Sequence, residues 1–431
     1  MARTKVDLIL GIQWGDEGKG KFVDVMASEY DIIARFQGGP NAGHTLEFNG
    51  IKHILQTIPS GIFHDGKENI IGNGVLIDPH ILHRELTAIR KFNIEPKQRL
   101  ILSDKAHLIL PTHRLLDAAL EAQKGDKKIG STVKGIGPAY TDKTARGGLR
   151  VGDIIRPDFK RKYEALKAQH TGLLKHYGFD ESKWVIDNMP LAEYEAKWFE
   201  GVEELSGYRI LATEYYLEEA MNAGKRILAE GAQGSLLDVE FGTYPFVTSS
   251  NTTASGVCSG LGISPASVGR VYGVFKAYCT RVGSGPFPTE LHDAWGERLR
   301  EQGGEYGSTT GRPRRCGWLD LVALRYTIML SGVTDLIVTK ADVMDDFEEI
   351  KVCCGYKKDG KPLAQFSPMD LDGIEPELAT MKGWQTPISD IKRVADLPEA
   401  FRAYLAFITE KTHTPVSIIS VGPNRLQTLM A

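Results

Sequence analysis

The sequence lacks several features that would place a protein in a specialised class. Its five cysteines in 431 residues are an odd number and show no zinc-site spacing. Its formal net charge is only -3, which provides no basic field for DNA, RNA or a membrane surface. No run approaches the roughly 18 apolar residues of a membrane span. We therefore predict reduced thiols, no nucleic-acid binding and no membrane insertion.

The amino terminus also lacks the marks of a secretory signal. Met1–Lys5 leads directly into a short apolar run, without a longer apolar core or a cleavage site. We therefore expect a cytoplasmic protein. The hydrophobic content of 42% and charged content of 25% are ordinary for a globular protein with a large core. Length alone allows two or three domains, but no internal repeat or low-complexity linker divides the chain.

Apolar, β-rich runs alternate with helical patterns along most of the chain. Several runs are apolar on both faces, as buried parallel strands must be. The alternation predicts an α/β protein with a large, mainly parallel central sheet flanked by helices. The predicted strands are Val6–Ile12, Ile32–Phe36, Leu100–Ser103, Arg226–Glu230, Val271–Ala277, Leu336–Thr339 and Ser417–Ser420. The predicted helices are His113–Lys124, Glu214–Ala223, Leu319–Leu330 and Leu397–Lys411.

Residues 157–206 differ from the rest of the chain. This stretch is rich in Lys, Glu, Tyr and Trp and predicts two polar helices, Phe159–Tyr177 and Leu191–Leu205. We interpret it as a helical excursion from the main sheet, because motifs on both sides of it serve one site. We therefore predict one domain over residues 1–431.

The most informative segment follows the first predicted strand and reads Gly15-Asp16-Glu17-Gly18-Lys19-Gly20-Lys21. It fits the G-x-x-x-x-G-K spacing of a loop that holds nucleotide phosphates. Phe22 stands where a Ser or Thr hydroxyl would hold Mg²⁺, and Asp16 places a carboxylate inside the loop. An acid beside phosphates is unfavourable unless it holds a metal ion or accepts a proton. The segment predicts a phosphate loop adapted to acid–base chemistry; the alternative is a Gly-rich turn with solvated charges.

A second motif indicates which base the nucleotide carries. Thr339-Lys340-Ala341-Asp342 follows a predicted strand and fits the [NT]-K-x-D pattern by which GTPases read guanine. The Asp accepts two hydrogen bonds that adenine does not offer, and the Lys stem lies along the purine. Alone, the motif is compatible with a surface Lys and Asp; with a phosphate loop it favours GTP over ATP. Ser420-Val421-Gly422-Pro423 is a candidate for backbone contacts to the same base.

Gly-rich and cationic loops follow other predicted elements. Gln37–Thr45 carries His44, a natural proton donor near neutral pH, although a lone loop His is usually a surface residue. The stretches Gly130–Pro138 and Thr141–Arg150 suit a phosphate or form a flexible basic loop. Gly307–Arg315 contains three guanidinium groups and indicates an acidic small molecule. The turns Glu230–Gly234 and Thr248–Thr253 are compatible with ligand binding but not diagnostic.

In content, order and spacing, these segments resemble the adenylosuccinate synthetase family from about Asp7 to the C-terminus. The matching segments are Gly15–Lys21, Asn41–Thr45, Gly135–Tyr140, Glu230–Gly234, Val247–Thr253, Thr309–Arg314, Thr339–Asp342 and Ser420–Pro423. Two departures stand out. Ser131-Thr132-Val133-Lys134 replaces a more usual Thr-Thr-Gly-Arg, and Pro313 interrupts the arginine run.

The resemblance implies a ligase that forms a C–N bond between IMP and L-aspartate. GTP drives the reaction through a 6-phosphoryl-IMP intermediate to adenylosuccinate, GDP and phosphate, the first committed step from IMP to AMP. It also implies a P-loop-NTPase-like fold with a modified phosphate loop, one Mg²⁺ per subunit and a homodimer. Asp16 would be the general base and a metal ligand, the Gly43 carbonyl a second ligand, and His44 the general acid. Lys19 and Gln233 would complete the catalytic set.

The resemblance further implies three substrate sites. The GTP site would comprise Gly15, Asp16, Glu17, Gly18, Lys19, Gly20, Lys21, Gly43, His44, Thr45, Arg314, Lys340, Ala341, Asp342, Ser420, Val421 and Gly422. The IMP site would comprise Asp16, Glu17, Gly18, Lys19, Asn41, Ala42, Gly43, His44, Thr132, Gln233, Thr248, Arg312 and, from the neighbouring subunit, Arg146. The aspartate site would comprise Ser308, Thr309, Thr310, Gly311, Arg312, Pro313 and Arg314.

Two rival functions remain at this stage. A regulatory GTPase would account for the guanine motif, but not for Phe22 or for the cluster Arg312-Pro313-Arg314-Arg315. A nucleotide kinase would yield a phosphorylated nucleoside instead of a succinyl adduct, so product analysis separates it from the ligase.

Overall fold

Ten strands form one large sheet in the computed structural model, which describes residues 3–48, 51–125, 130–180, 184–307, 311–363 and 365–431. From one edge to the other, the strands of this sheet are Arg209–Leu211, Leu100–Ser103, Glu68–Ile71, Ile32–Arg35, Ile227–Glu230, Val6–Gly11, Val268–Lys276, Asp335–Thr339, Val416–Ser420 and Thr428–Met430. Neighbours pair in parallel except at the last edge, where Thr428–Met430 runs antiparallel to Val416–Ser420. The prediction of a mainly parallel α/β fold is confirmed.

Strands and helices are numbered in chain order over the described ranges. The strands are β1 Val6–Gly11, β2 Ile32–Arg35, β3 His44–Phe48, β4 Ile51–Leu55, β5 Glu68–Ile71, β6 Leu76–Ile77, β7 Leu100–Ser103, β8 His107–Leu108, β9 Val185–Ile186, β10 Met189–Pro190, β11 Arg209–Leu211, β12 Ile227–Glu230, β13 Val268–Lys276, β14 Cys279–Arg281, β15 Arg315–Gly317, β16 Leu319–Asp320, β17 Asp335–Thr339, β18 Glu349–Lys358, β19 Lys361–Leu363, β20 Ile374–Lys382, β21 Val416–Ser420 and β22 Thr428–Met430. The α-helices are α1 Lys19–Met26, α2 Pro79–Arg90, α3 Pro111–Gln123, α4 Ile136–Ala145, α5 Phe159–His176, α6 Leu191–Ser206, α7 Thr213–Asn222, α8 Ser255–Leu261, α9 Ala294–Gly303, α10 Leu321–Ser331 and α11 Glu399–Thr412.

The predicted strands all lie in the large sheet, and their ends agree to within three residues. The sheet also contains β5, β11 and β22, which the sequence did not predict. These strands are only three or four residues long, and β11 at the edge has one exposed and two half-buried residues. A short strand with a polar edge shows neither the alternation nor the apolar run on which such predictions depend.

The central strands are buried because each face of the sheet carries its own layer of apolar side chains. Along β1, Leu8 and Leu10 join one core cluster, whereas Ile9 packs in another with Phe22 and Val23 of α1. Successive side chains of a strand point to opposite faces, so an apolar run without alternation needs cover on both sides. Phe22, which stands in place of a hydroxyl, is therefore a fully buried core residue.

Loops that carry the sequence motifs leave the sheet at one edge. The phosphate loop follows β1, the His44 loop follows β2, and the turn after β12 lies between them. The guanine motif and the segment that begins at Ser420 follow the neighbouring strands β17 and β21. Because parallel strands end at the same edge, motifs far apart in sequence meet there.

The helical excursion packs against the main sheet through a second core. Trp198 of α6 is fully buried, and its indole Nε1 donates to the carbonyl of Ile109 at 2.8 Å. The same cluster contains Leu100 and Leu102 of β7. On α3, Arg114 forms a bidentate ion pair with Asp187 between the two helices, at 2.7 and 2.8 Å. These contacts support the prediction of one domain over residues 1–431, which stays a prediction.

Among the described helices, none combines the length and the apolar composition that crossing a bilayer requires.

We expect Trp198→Ala to destabilise the whole chain by about 3–5 kcal/mol, because it empties the core that joins the excursion to the sheet. Chemical unfolding followed by far-UV circular dichroism should shift as one transition. Leu173→Ala on exposed α5 surface is the matched control and should change the midpoint little. A separate, earlier transition in the Trp198 variant would contradict a single domain.

Candidate active site

The phosphate loop has an unusual backbone that one buried carboxylate holds in place. Gly15, Asp16 and Gly18 have φ of +87°, +58° and +85°, in the left-handed region. Successive turns of this kind gather backbone N–H groups into an anion-binding concavity. Glu17 is fully buried and accepts hydrogen bonds from the N–H of Gln13 at 3.1 Å and of Gly15 at 2.9 Å. The loop is therefore held from within by its own carboxylate.

Lys19 lies inside this loop and is nearly buried. Its Nζ donates to Glu17 Oε2 at 2.7 Å and to the carbonyl of Gln233 at 2.5 Å. An ammonium group carries three hydrogens, so one donor of Lys19 remains for a ligand.

Asp16 is paired with a cation that a deeper carboxylate fixes. Its Oδ2 accepts from Arg314 Nε at 2.8 Å, and Arg314 Nη1 donates to Glu305 Oε2 at 2.6 Å. Glu305 is fully buried and also accepts from Lys276 Nζ at 2.8 Å to each oxygen and from the Tyr278 hydroxyl at 2.5 Å. Burial opposes ionisation of Glu305, but the surrounding cations lower its pKa to about 2. The ionised carboxylate holds Arg314 beside the loop.

His44 is oriented by a carboxylate at the end of β12. Its Nδ1 lies 2.5 Å from Glu230 Oε1, and Glu230 also accepts from the N–H of Ser60 at 2.8 Å and its hydroxyl at 2.7 Å. Burial lowers the pKa of His44, Arg35 and Lys19 add to that effect, and Glu230 opposes it. The resulting neutral imidazole donates from Nδ1. Its Nε2 is buried and finds no hydrogen-bond partner within the described ranges.

Gln233 leaves a second buried polar atom without a partner. It has a left-handed φ of +57°, and its Nε2 donates to Asn41 Oδ1 at 3.1 Å. Its Oε1 is buried and unpaired over the part of the chain that the structure describes. Buried polar atoms are nearly always hydrogen-bonded, so an orphan at a concave edge is typical of a ligand position. The predicted IMP residues Asn41 and Gln233 therefore lie together beside such a position.

The two predicted guanine segments also meet. Val338 of β17 pairs with Ile419 of β21, which brings Asp342 and Ser420 to neighbouring strand ends. Burial raises the pKa of Asp342, whereas the charges of Lys340 and Lys21 lower it. Lys340 has a left-handed φ of +61°, and its Nζ donates to the carbonyl of Gly303 at 2.7 Å.

The predicted guanine motif contacts the phosphate loop through a threonine hydroxyl. Thr339 Oγ1 donates to the carbonyl of Glu17 at 2.9 Å. The two motifs that predict GTP binding are therefore in direct contact.

The loop that carries Thr132 is held by acidic residues of α3. Asp117 accepts from the Ser131 hydroxyl at 2.7 Å and from the N–H of Gly135 at 2.9 Å. Val133 has a φ of +53°, where a β-branched residue is strained by about 1–2 kcal/mol. A glycine, which the resemblance leads us to expect at this position, would fit without strain. The departure at Val133 is therefore a conformational one, which the sequence did not reveal.

Arg312 brings the third cationic loop to the Thr132 loop. A methyl group on Gly130 would lie 3.5 Å from Arg312 Nη1. The N–H of Gly307 donates to the carbonyl of Arg312 at 2.8 Å, and Pro313 pairs with Tyr306 across the loop. The N–H of Gly311 donates to the carbonyl of Gly307 at 2.8 Å. Three further residues that we predicted to bind aspartate lie outside the described ranges; they are Ser308, Thr309 and Thr310.

Other predicted residues are spread more widely. Thr248 is half-buried, and its N–H donates to the carbonyl of Leu237 at 2.9 Å. Arg146 follows α4 with a left-handed φ of +66°. Its side chain is exposed, and its guanidinium makes no hydrogen bond within the described ranges. Arg146 is bonded to no other predicted site residue within the described ranges.

A cluster of two histidines and one aspartate lies apart from the predicted metal ligands. Asp142 Oδ2 accepts from Nε2 of both His113 and His170 at 2.9 Å. The N–H of Leu110 donates to His113 Nδ1 at 2.9 Å, which places the His113 proton on Nε2. Such a nitrogen has no lone pair for a metal ion, and Mg²⁺ prefers oxygen ligands. The cluster therefore fastens α4 between α3 and α5.

The sequence missed several residues that shape the site. Glu230 belongs to a noted turn, and its place at a strand end was the only signal for its contact with His44. Glu305 and Lys276 lie in no motif, and neither their spacing nor their type indicated that they meet under Arg314.

Comparison with known proteins covers nearly the whole chain. The family model for adenylosuccinate synthetase matches residues 8–429. An adenylosuccinate synthetase of Flavobacterium psychrophilum is 57% identical over 98% of this chain and 99% of its own length. One from Phocaeicola vulgatus is 54% identical over 99% and 98%.

Solved structures agree with that match. A fully ligated adenylosuccinate synthetase from Plasmodium falciparum superposes with a TM-score of 0.93, at 37% identity, over 99% of this chain and 100% of that one. The succinoaminodeoxyadenylate synthetase of cyanophage S-2L has a TM-score of 0.63 at 22% identity over 99% and 95%, which shows the shared fold alone. The chain belongs to the adenylosuccinate synthetase family, whose members are ligases that use GTP to convert IMP into adenylosuccinate.

Proposed function

We propose that this chain joins IMP and L-aspartate with hydrolysis of GTP, at a site formed by the residues described above. The observation that carries the proposal is the meeting of three groups at one sheet edge: the exposed carboxylate of Asp16, the imidazole of His44 and the half-buried carboxylate of Asp342. The unpaired atoms of His44 and Gln233 lie at the same edge and support a bound heterocycle there.

The difficult step is the loss of the 6-oxygen of IMP, which is a poor leaving group. Asp16 accepts the ring N–H proton, so the 6-oxygen becomes nucleophilic and attacks the γ-phosphorus while the bond to GDP breaks. The amine of aspartate then displaces the phosphate from C6. Ordinary carboxylates are several pKa units too weak for the first transfer, and each unit costs about 1.4 kcal/mol. Other groups must therefore stabilise the negative charge that passes from the purine to the γ-phosphate.

His44 and Lys19 suit that task. The negative charge of a bound triphosphate raises the pKa of His44, so its free Nε2 becomes a proton donor to the oxygens that carry charge. Glu230 keeps the ring in the orientation that leaves Nε2 available. Lys19 has one unused hydrogen for a phosphate oxygen.

The predicted Mg²⁺ ligands fit that ion. Asp16 and the carbonyl of Gly43 are hard oxygen donors, which Mg²⁺ prefers. The Asp16 side chain is 36% exposed and already pairs with one cation, Arg314. Its carboxylate is therefore accessible to a metal ion. Bound Mg²⁺ would neutralise charge on the phosphates and orient them. Phe22 stands where a Ser or Thr hydroxyl would hold Mg²⁺, but it is buried in the core. Asp16 would therefore supply the ligand that this hydroxyl supplies in other phosphate loops.

The remaining roles extend the same proposal. Thr132, Thr248, Asn41, Gln233 and Arg312 would hold IMP, and the loop over residues 308–314 would hold aspartate. Arg146 would reach the IMP of a neighbouring subunit in a homodimer, which its exposed, unbonded guanidinium supports. Free thiols at all five cysteines support a reducing, cytoplasmic location.

We expect GTP turnover to require both IMP and aspartate, and Asp16→Ala and His44→Ala to abolish it while the fold survives. Ultraviolet absorbance should report adenylosuccinate formation with each component omitted in turn, and circular dichroism should report folding. Equal GTP consumption without IMP and aspartate would favour the GTPase. A phosphorylated nucleoside as product would favour the kinase.

Glu230→Gln should shift the alkaline limb of the kcat–pH profile to lower pH. The reason is that His44 must be protonated to act as an acid, and removal of the carboxylate charge lowers its pKa further. We expect kcat at pH 8 to fall by about one to two orders of magnitude. Glu219→Gln on exposed α7 is the matched control. An unchanged pH profile in the Glu230 variant would contradict this role.

Mixed subunits test the shared site. The Asp16→Ala and Arg146→Leu variants, each taken alone, should be inactive at limiting IMP. Every site of the first lacks the Asp16 carboxylate, and every site of the second lacks the Arg146 guanidinium. Random mixing in a two-fold dimer should restore about a quarter of the wild-type rate, since hybrids regain one intact site. The steady-state rate after mixing and re-equilibration is the measurement. No recovery from a mixture of folded variants would contradict a contribution from the neighbouring subunit.

A further inference from the structure

Lys21 occupies the lysine position of the phosphate-loop pattern but contacts a different part of the protein. Its Nζ donates to Ser420 Oγ at 2.8 Å, to the carbonyl of Gly422 at 2.7 Å and to the carbonyl of Gln427 at 2.9 Å. These three bonds use all the hydrogens of an ammonium group. Lys21 therefore has no donor left for a phosphate, whereas Lys19 keeps one.

The three acceptors close the segment 420–427, which connects β21 to β22. Ser420 and Gly422 stand at its start and Gln427 at its end, so the ammonium group ties both ends together. The N–H of Val421 donates to the Gln427 carbonyl at 3.1 Å, and the N–H of Asn424 donates to the Gln427 side chain at 3.0 Å. The segment is a small, internally bonded turn with Lys21 at its centre.

The charge of Lys21 also acts on the base-reading carboxylate. Burial lowers the pKa of Lys21 to about 8, although Asp342 and Glu47 oppose that shift. In return, Lys21 and Lys340 oppose the rise that burial causes in the pKa of Asp342. A carboxylate must be ionised to accept two hydrogen bonds from guanine, so the ammonium group favours the state of Asp342 that reads the base.

We propose that Lys21 is a positioning residue for the guanine base, which holds the segment 420–427 against the start of α1, and is not a ligand of the phosphates. The inference rests on the proposed GTP site and deepens it. It also means that the phosphate loop is directly linked to the segment 420–427, because α1 begins in the loop at Lys19 and contains Lys21.

Nucleotide binding to Lys21→Met separates the two roles. Isothermal titration calorimetry measures the dissociation constant of GDP. Competition against GDP gives the dissociation constants of guanosine, which has no phosphate, and of inosine diphosphate, which lacks the 2-amino group. We expect guanosine and GDP to weaken by the same factor, about tenfold, as for the loss of a charged hydrogen bond. The preference for GDP over inosine diphosphate should fall, and kcat at saturating GTP should fall less than about threefold.

Lys21→Arg is the second variant. It keeps the charge, but a planar guanidinium does not direct its hydrogens to three separate acceptors in this way. We expect an intermediate loss of guanosine affinity, and this variant also serves if Lys21→Met does not fold. Lys160→Met on exposed α5 is the matched control and should bind all three ligands as the wild type does.

The outcomes separate this inference from the proposed function. Weaker GDP binding with unchanged guanosine binding would overturn it and make Lys21 a phosphate ligand, as would a collapse of kcat at saturating GTP. If the wild type bound GDP and guanosine as expected but formed no adenylosuccinate, the proposed function would fall and this inference would be judged on binding alone. If the wild type bound neither guanosine nor GDP, both would fall.

Discussion

The site depends on carboxylates that are buried at the carboxyl edge of the sheet with cations or N–H donors against them. Glu17 pairs with Lys19, and Glu305 with Lys276 and Arg314. Removal of one partner from such a pair typically costs about 3–5 kcal/mol, because an unpaired charge stays behind in the interior. The energetic cost of separating these pairs therefore favours the geometry in which they are formed. Within the described ranges, these pairs supply a rigid frame around the candidate site.

This frame joins regions that perform different tasks. Thr339 connects the guanine motif to the phosphate loop through the carbonyl of Glu17, and Lys21 connects α1 to the segment 420–427. Arg314 connects Asp16 to the buried Glu305. Phosphoryl transfer needs little covalent work from a protein and much accurate positioning. Contacts that set the base, the phosphates and the acid–base groups relative to one another fit that requirement.

The sequence predicted the fold and the main motifs for a simple reason: their signals are local. The strand Ile227–Glu230 is buried on both faces, and its short apolar run is enough to indicate that burial. The guanine motif that contains Asp342 is also a local signal, because its four residues directly follow a strand. Glu305 and Lys276 were beyond reach, since a contact across 29 positions leaves no periodic trace. Lys21 shows a subtler limit, because a linear pattern gives its place in the loop but not the direction of its side chain.

Val133 shows the same limit for the backbone. Its replacement of the usual glycine reads as a change of side chain, yet the structure puts it at a φ of +53° between the acceptors Asp117 and Glu121 of α3. Those carboxylates bond Gly130, Ser131 and Gly135 and so fix both ends of the loop. With both ends fixed, the middle of the loop has little freedom to relieve the strain of a left-handed Val133. The constraint that makes Val133 unfavourable is thus the one that holds Thr132 in place, and strain at this position is a consequence of an ordered loop.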